Sequence, residues 1–579
     1  MFANLFNTFN KNPQAYTPFT LKPLPSKALI DRGDAALETP WPVLTATDYL
    51  DFTRTGNRVR FEKKYFDRRH LLNDLVMAEI ASREEKYLDA IINGLWSICE
   101  ESGWQLPSHN SHIRNTPQLP LPNPIQPVLD LFACETGAQL ALVYMLLGES
   151  LGGEITDRIL YEINHRIITP YLTKHFWWMG SGDEPMMNWT PWCTQNALIC
   201  VAITPQSDKT RRQICEKAAY SLDCFVKDYG DDGCCDEGAK YYGHAALCLY
   251  VSMEMLNGMT DNHFAPLYQE PKIRNMADFI RQMHVVDNYY INFADCPPLL
   301  DPPGVLAYLF GKRTRNPDLA AFAAVGCNPI STDLSLYTRL AAIISADEIA
   351  MHHKNPTPPQ DIFFPSVGLM IARDDRFCLA VKAGDNDDNH NHNDTGSFTL
   401  YMDGKPFIVD VGVGTYTKDT FSDQRYSIWT MQSAFHNLPT FSGIMQAPGA
   451  DYKATDVEFT TMPERTCLSM NIAKAYPKEA GVERYFRTVC LERGRGVIIT
   501  DEYTGEHPVV LSLMLKSKPD IDGQILTMEG KGKIICDKAT NIDVEHISIT
   551  DPLLHKVWSD SLYRVLIGFD RKLQAVIVA

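Results

Sequence analysis

The sequence predicts a multidomain α+β chain: a large N-terminal domain of paired helices followed by a C-terminal antiparallel β-sandwich. Three observations carry this expectation. The chain has 579 residues, too many for one typical hydrophobic core. From about residue 40 to 350 the apolar residues recur at helical spacing. After the proline-rich stretch "HHKNPTPPQD" the pattern changes to short alternating runs.

Residues 1–40 read as an N-terminal extension. The helical domain is expected over 41–352, with "LLNDLVMAEIASREEKYLDAIINGLWSICEES", "VLDLFACETGAQLALVYMLLGES" and "RRQICEKAAYSLDCFVKDYG" as its clearest stretches. Pro-, Gly- and Asn-rich connections separate them. Many paired helices without a strict sequence period fit an α/α toroid or a solenoid, not a consensus repeat array. Residues 353–361 are the expected linker. Over 362–579, runs such as "RFCLAVKAG", "SFTLYMDGKPFIVDVG", "GVIITDEYTG" and "LQAVIVA" read as strands. Asp403-Gly404 between two of them is a hairpin signal.

Composition is ordinary for a globular chain, 45% hydrophobic and 22% charged. The longest apolar runs fall short of the roughly 20 residues that span a bilayer, so no membrane partner is expected. A net charge of −17 argues against nucleic-acid binding, which needs a basic footprint. It is also awkward for a polyanionic substrate, which would need a locally basic cleft. The N-terminus lacks a basic start with an apolar core. The fifteen cysteines include no CxxC pair and support neither a zinc ribbon nor a disulfide framework. Reduced thiols in a cytoplasm are the expectation. Homo-oligomerisation is left open.

Chemistry concentrates in a few stretches. In "HNHND", His390 and His392 would share one face of an extended chain, as metal ligands, a catalytic base or both. Downstream, Asp410 ends "PFIVD" and His436 lies in "SAFHNLPTF". With His392 they form a set that suits a divalent ion such as zinc or manganese. In the helical part, "MGSGDEPMMNWTPWCTQNAL" places Asn188 at a helix start among Trp177, Trp178, Trp189 and Trp192. Tryptophans there either stack on sugars or pack helices. "DDGCCDEGAKYYGH" brings Glu237, Tyr241, Tyr242 and His244 close together, and a tyrosine can donate or accept a proton. "GWQLPSHN" with Trp104 and His109, then Arg114, and "INFADCPP" with Asn292 and Asp295, read as rim loops.

Assembled, these stretches resemble the heparinase II/III-like polysaccharide lyases. The resemblance runs from "WQLPSHN" to "HNLPTFSG" and is most specific in "HNHNDTGSFTLYMDGKPFIVDVGVGTY" and "SAFHNLPTFSG". It implies an α/α toroid joined to a β-sandwich, and β-elimination at a uronic acid. Asn188 matches the asparagine that neutralises the uronate carboxylate. Tyr242 matches the catalytic tyrosine by its spacing from Glu237-Gly238, with Tyr241 as the fallback. His390 matches the histidine at the scissile bond and Tyr416 a second cleft tyrosine. His392, Asp410 and His436 match the ligands of a largely structural metal. Trp104, His109, Arg114, Trp189, Trp192, Glu237, Tyr241 and His244 are left as substrate contacts. Trp189 stands where several relatives have histidine, which leaves the division of acid and base roles open.

The implied substrate is an acidic poly- or oligosaccharide, with glycosaminoglycans ahead of alginate-like oligouronates. Two other enzymes compete: a cupin-type metal enzyme built on the His/Asp/His set, and a glycoside hydrolase recruiting Asp183, Glu184 or Glu237. A non-catalytic carbohydrate-binding protein is the third alternative.

Overall fold

The computed structural model describes residues 1–20, 26–114, 116–352, 355–417 and 419–579. Part of the expected extension (21–25) and the start of the expected linker (353–354) lie outside the described residues. Among the described residues, sixteen α-helices lie between Phe2 and Met351, and antiparallel strands dominate from Ile362 onward. The expected order, helices first and sheets second, is the observed one.

Two compact units divide the chain, and they are interleaved. One comprises 1–229, 243–277 and 302–356; the other comprises 230–242, 278–301 and 357–579. The sequence reading assigned 230–242 and 278–301 to the helical domain because helices flank them. Both belong to the β unit instead.

In the helical unit, local signals set the helix ends. Thr45 and Asp48 form a reciprocal capping box for Ala46–Thr55, and Gly56 closes that helix with φ 76°. Asp130 caps Leu131–Leu151, accepting from the Ala133 N–H at 2.7 Å. That 21-residue helix is long and apolar enough to cross a membrane, yet 67% of its apolar window is buried inside the protein. It packs on Trp189–Ile203, which also contacts Asp208–Asp228 and Ala246–Met259. Residues 1–20 belong to the helical unit. Phe2 and Phe6 are buried, and Asp223 accepts from the N–H groups of Phe2 and Ala3 at 2.7 and 2.9 Å. A carboxylate there answers the unpaired donors of the helix Phe2–Asn7.

The β unit contains two large antiparallel sheets, of eight and nine strands. They share one core, in which Leu379, Leu400 and Leu511 from one sheet meet Leu468, Val489 and Ile499 from the other. Strand Val482–Glu492 shows why: Tyr485, Arg487, Val489 and Leu491 are buried at every second position. The Asp403-Gly404 hairpin forms, with φ of 49° and 72°. One sequence expectation fails here. Cys467 and Cys490 face each other across neighbouring strands and form a disulfide. Their pairing follows from strand register, which cysteine spacing does not reveal.

Candidate active site

Three separate stretches of the β unit converge on one carboxylate, Asp295. Its Oδ2 lies 2.8 Å from His390 Nδ1 and accepts from the Tyr416 hydroxyl at 3.1 Å. Its Oδ1 lies 3.1 Å from His392 Nε2 and accepts from Arg425 Nη2 at 2.7 Å. Burial opposes the charge on Asp295. Hydrogen bonds from both histidines, reinforced by Arg425, nevertheless hold its carboxyl far below the usual range. Arg425 also binds the carbonyls of His390 and Asn391, at 2.8 and 2.9 Å, so it fixes the loop it serves.

"HNHND" is not a strand. It is a turn, with His390 in the left-handed region at φ 58°. His390 and His392 therefore converge by loop geometry on opposite oxygens of Asp295, not by strand alternation. A left-handed non-glycine residue is a strained conformation of the kind that clusters at functional sites.

The other nitrogen of His390, Nε2, lies 3.3 Å from Glu237 Oε2. Burial works against an imidazolium, but the two carboxylates outweigh it and push His390 up to about 9. The Tyr241 ring stacks on His390 with centroids 4.7 Å apart, and its hydroxyl is 2.9 Å from that of Tyr416. Burial raises both phenols above their ordinary value.

Tyr241, not Tyr242, is thus the tyrosine of this cluster, which corrects the residue chosen by spacing. The two share a 3₁₀ turn, Ala239–Gly243, where successive side chains point about 120° apart. An error of one in the count turns the ring away. Tyr242 is 2% exposed, and burial, with the Asp278 charge, raises its phenol well above the ordinary value. The turn needs Gly238, at φ 89°, because a Cβ there would meet Cys296 Cβ at 2.8 Å. This close approach docks the Glu237–Tyr241 turn on the loop that carries Asp295.

Beside this cluster, ligand atoms of His392, Asp410 and His436 all lie within 4.8 Å of one another, and all three residues are buried. His392 Nδ1 is buried without a hydrogen-bond partner, and so is His436 Nε2. His436 Nδ1 is 3.1 Å from Asp410 Oδ2. Orphaned buried nitrogens beside a carboxylate fit a divalent ion. Asp295 on the far nitrogen of His392 is the outer partner that such ligands usually have.

In the helical unit, Asn188 holds the N-cap position of Trp189–Ile203 but makes no side-chain capping bond, and it is buried. Rings there form a row. Arg114 lies 4.5 Å over Trp177, Trp177 is 5.1 Å from Trp189, and Trp189 is 4.7 Å from His109. Phe132 links His109 to Trp192, and Trp192 stacks on His244 at 4.0 Å. His109 is held by Asp130 at 2.8 Å, and Trp192 Nε1 donates to Glu135 at 2.8 Å. Trp104 is no substrate contact. It is 1% exposed, its indole N–H donates to the Ile98 carbonyl at 3.0 Å, and Arg166 lies 4.7 Å over its ring.

Sequence reasoning saw Asp295 only as a rim-loop residue and passed over Arg425. An isolated Asp in "INFADCPP" carries no spacing signal that links it to histidines about a hundred residues away.

Residues 356–543 match the model of the heparinase II/III-like C-terminal domain. No curated protein matches the sequence. Among solved structures, a mutant of the heparan sulfate lyase HepC from Pedobacter heparinus matches with TM-score 0.65 and 13% identity, over 100% of this chain and 87% of that one. A heparinase III matches with TM-score 0.64 and 14% identity, over 100% and 89%. The chondroitin AC lyase of Streptomyces coelicolor A3, in complex with chondroitin sulphate, matches with TM-score 0.50 and 12% identity, over 100% and 82%. At these identities the likeness is one of fold.

Proposed function

We propose that this chain, which carries a heparinase II/III-like C-terminal domain on the heparinase III fold, is a lyase of uronic-acid-containing glycans, glycosaminoglycans first among them. The observation that carries this reading is the stacked pair of His390 and Tyr241, with carboxylates on both nitrogens of the imidazole.

A uronate C5 hydrogen is weakly acidic because the adjacent carboxylate is already negative. An enzyme must offset the charge that develops when that proton leaves. His390, with N–H groups facing Asp295 and Glu237, is suited to remain an imidazolium and to supply that charge. Tyr241 is assigned the transfer of the proton from C5 to O4. It must enter the step deprotonated, against the burial that raises its phenol, with the His390 imidazolium stacked on its ring to offset the phenolate charge and the Tyr416 hydroxyl 2.9 Å from its oxygen. The C5–H and C4–O4 bonds break, the C4–C5 double bond forms, and no water is consumed.

A divalent ion, zinc or manganese, is assigned to His392, Asp410 and His436. When bound, it supplies a charged cross-link between three loop and strand ends. Arg425 and Asp295 hold His390 in its strained turn from the protein side.

Mass spectrometry of digests from a panel of uronate glycans tests the reading. Fragments with an unsaturated uronate at the new non-reducing end, one water lighter than hydrolysis products, are expected. Hydrated ends would identify a hydrolase instead.

A further inference from the structure

Lys240 sits on the turn that presents Tyr241 and is an exposed residue. It stands 5.7 Å from the Tyr241 ring centroid and 5.5 Å from that of Tyr416. These are the two phenols whose hydroxyls are 2.9 Å apart. The backbone beneath it is pinned by the Lys240 N–H, which donates to Cys296 Sγ at 3.4 Å. Two ring faces therefore hold the cation in place.

The other cations near the cluster are already engaged. Arg425 is taken up by Asp295 and by backbone carbonyls. Lys382 is buried between Asp388 and Asp394, at 3.0 and 2.9 Å. Glu237 and Asp295 are buried and face His390. Lys240, by contrast, makes no ion pair among the described residues. In a chain of net charge −17, an acidic ligand needs a local cation to approach the phenols.

We infer that Lys240 is the anion-reading residue of this site: its ammonium, held over Tyr241 and Tyr416, pairs with a carboxylate or sulfate of the glycan. This rests on the lyase reading and adds a recognition residue to it. The ring contacts set where the charge stands, and the long stem lets the ammonium reach outward from them.

The test is calorimetric binding of a disaccharide with the uronate at its non-reducing end. Such a sugar has no glycosidic leaving group on O4 and is not cut. Wild type, Lys240→Met and Lys240→Arg are compared, each with an unsulfated disaccharide and with its sulfated counterpart. Lys240→Met is expected to bind roughly tenfold more weakly and to lose the salt dependence of the wild type. Lys240→Arg, which keeps the charge, should stay within about threefold of wild type. A loss seen with both sugars identifies the carboxylate as the anion read, and a loss confined to the sulfated sugar identifies the sulfate. Equal affinity of Lys240→Met and wild type for both sugars overturns the inference, as does failure of the wild type to bind either. Turnover of polymeric glycans is scored separately, and its absence counts against the lyase reading alone.

Discussion

Tyr241 and Tyr242 are chemically identical neighbours, and their surroundings separate them. Tyr241 stacks on His390 and reaches Tyr416, whereas Tyr242 is packed in the interior. Tyr241→Phe should lower kcat by at least about a hundredfold with the fold intact. Tyr242→Phe should leave kcat within about threefold of wild type, because removing a hydroxyl away from the chemistry changes packing, not proton transfer. Steady-state kinetics on one cleaved glycan check both. His390 gives a pH-dependent prediction. Its folded pKa is raised from 6.5 to about 9, so the stabilisation from its carboxylate partners is complete below pH 6.5 and is lost as pH rises through about 9. Thermal melts should show Tm falling across that window in wild type and a flatter profile in His390→Gln. A profile unchanged by the substitution would disprove the assignment.

At the scale of elements, a buried arginine ties two loops that carry the site to the sandwich. Arg487, on Val482–Glu492, pairs with Asp501 through Nε and Nη2 at 2.8 and 2.7 Å. Its Nη1 donates to the carbonyls of Gly396 and Asn437 at 2.8 and 2.7 Å. Those carbonyls belong to the two loops that bear His392 and His436. Asp501→Ala should therefore destabilise the β unit by about 3–5 kcal/mol, because it leaves a buried guanidinium unpaired; denaturant unfolding measures this. Chelation should lower Tm in wild type and have little effect in His392→Ala, which lacks the nitrogen for the ion. Equal shifts in both proteins would count against a metal on this set. Strands such as Val482–Glu492 and Lys572–Val578 were legible because one face is buried, which imposes a two-residue alternation. Central strands such as Phe377–Lys382, buried on both faces, were legible as short apolar runs. The turn at "HNHND" was not. Its histidines suggested a strand, but Arg425 and Asp295, distant in sequence, impose the left-handed conformation at His390.

At the scale of the whole molecule, the change from helical to alternating periodicity marked the passage from helices to sheets. The interleaving of the units was hidden. Residues 230–242 and 278–301 contribute to the β unit although helices surround them in sequence. Glu237, Tyr241 and Asp295 come to the site through those two insertions. Motif spacing named His390, Tyr416 and the His392, Asp410 and His436 set, whose side chains lie close together in the β unit. It put Tyr242 ahead of its neighbour Tyr241, the one that stacks on His390, and read Asp295 only as a rim-loop residue. The ring row from Trp177 to His244 is a separate feature of the helical unit.

The most direct measurement is ultraviolet absorbance during incubation of the purified protein with heparan, chondroitin, hyaluronan and alginate chains. A rising signal from the C4–C5 double bond on at least one glycan, abolished in Tyr241→Phe and in His390→Ala, is the predicted result. No rise on any of them, or an undiminished rise with Tyr241→Phe, would contradict an elimination run by the stacked phenol and imidazole.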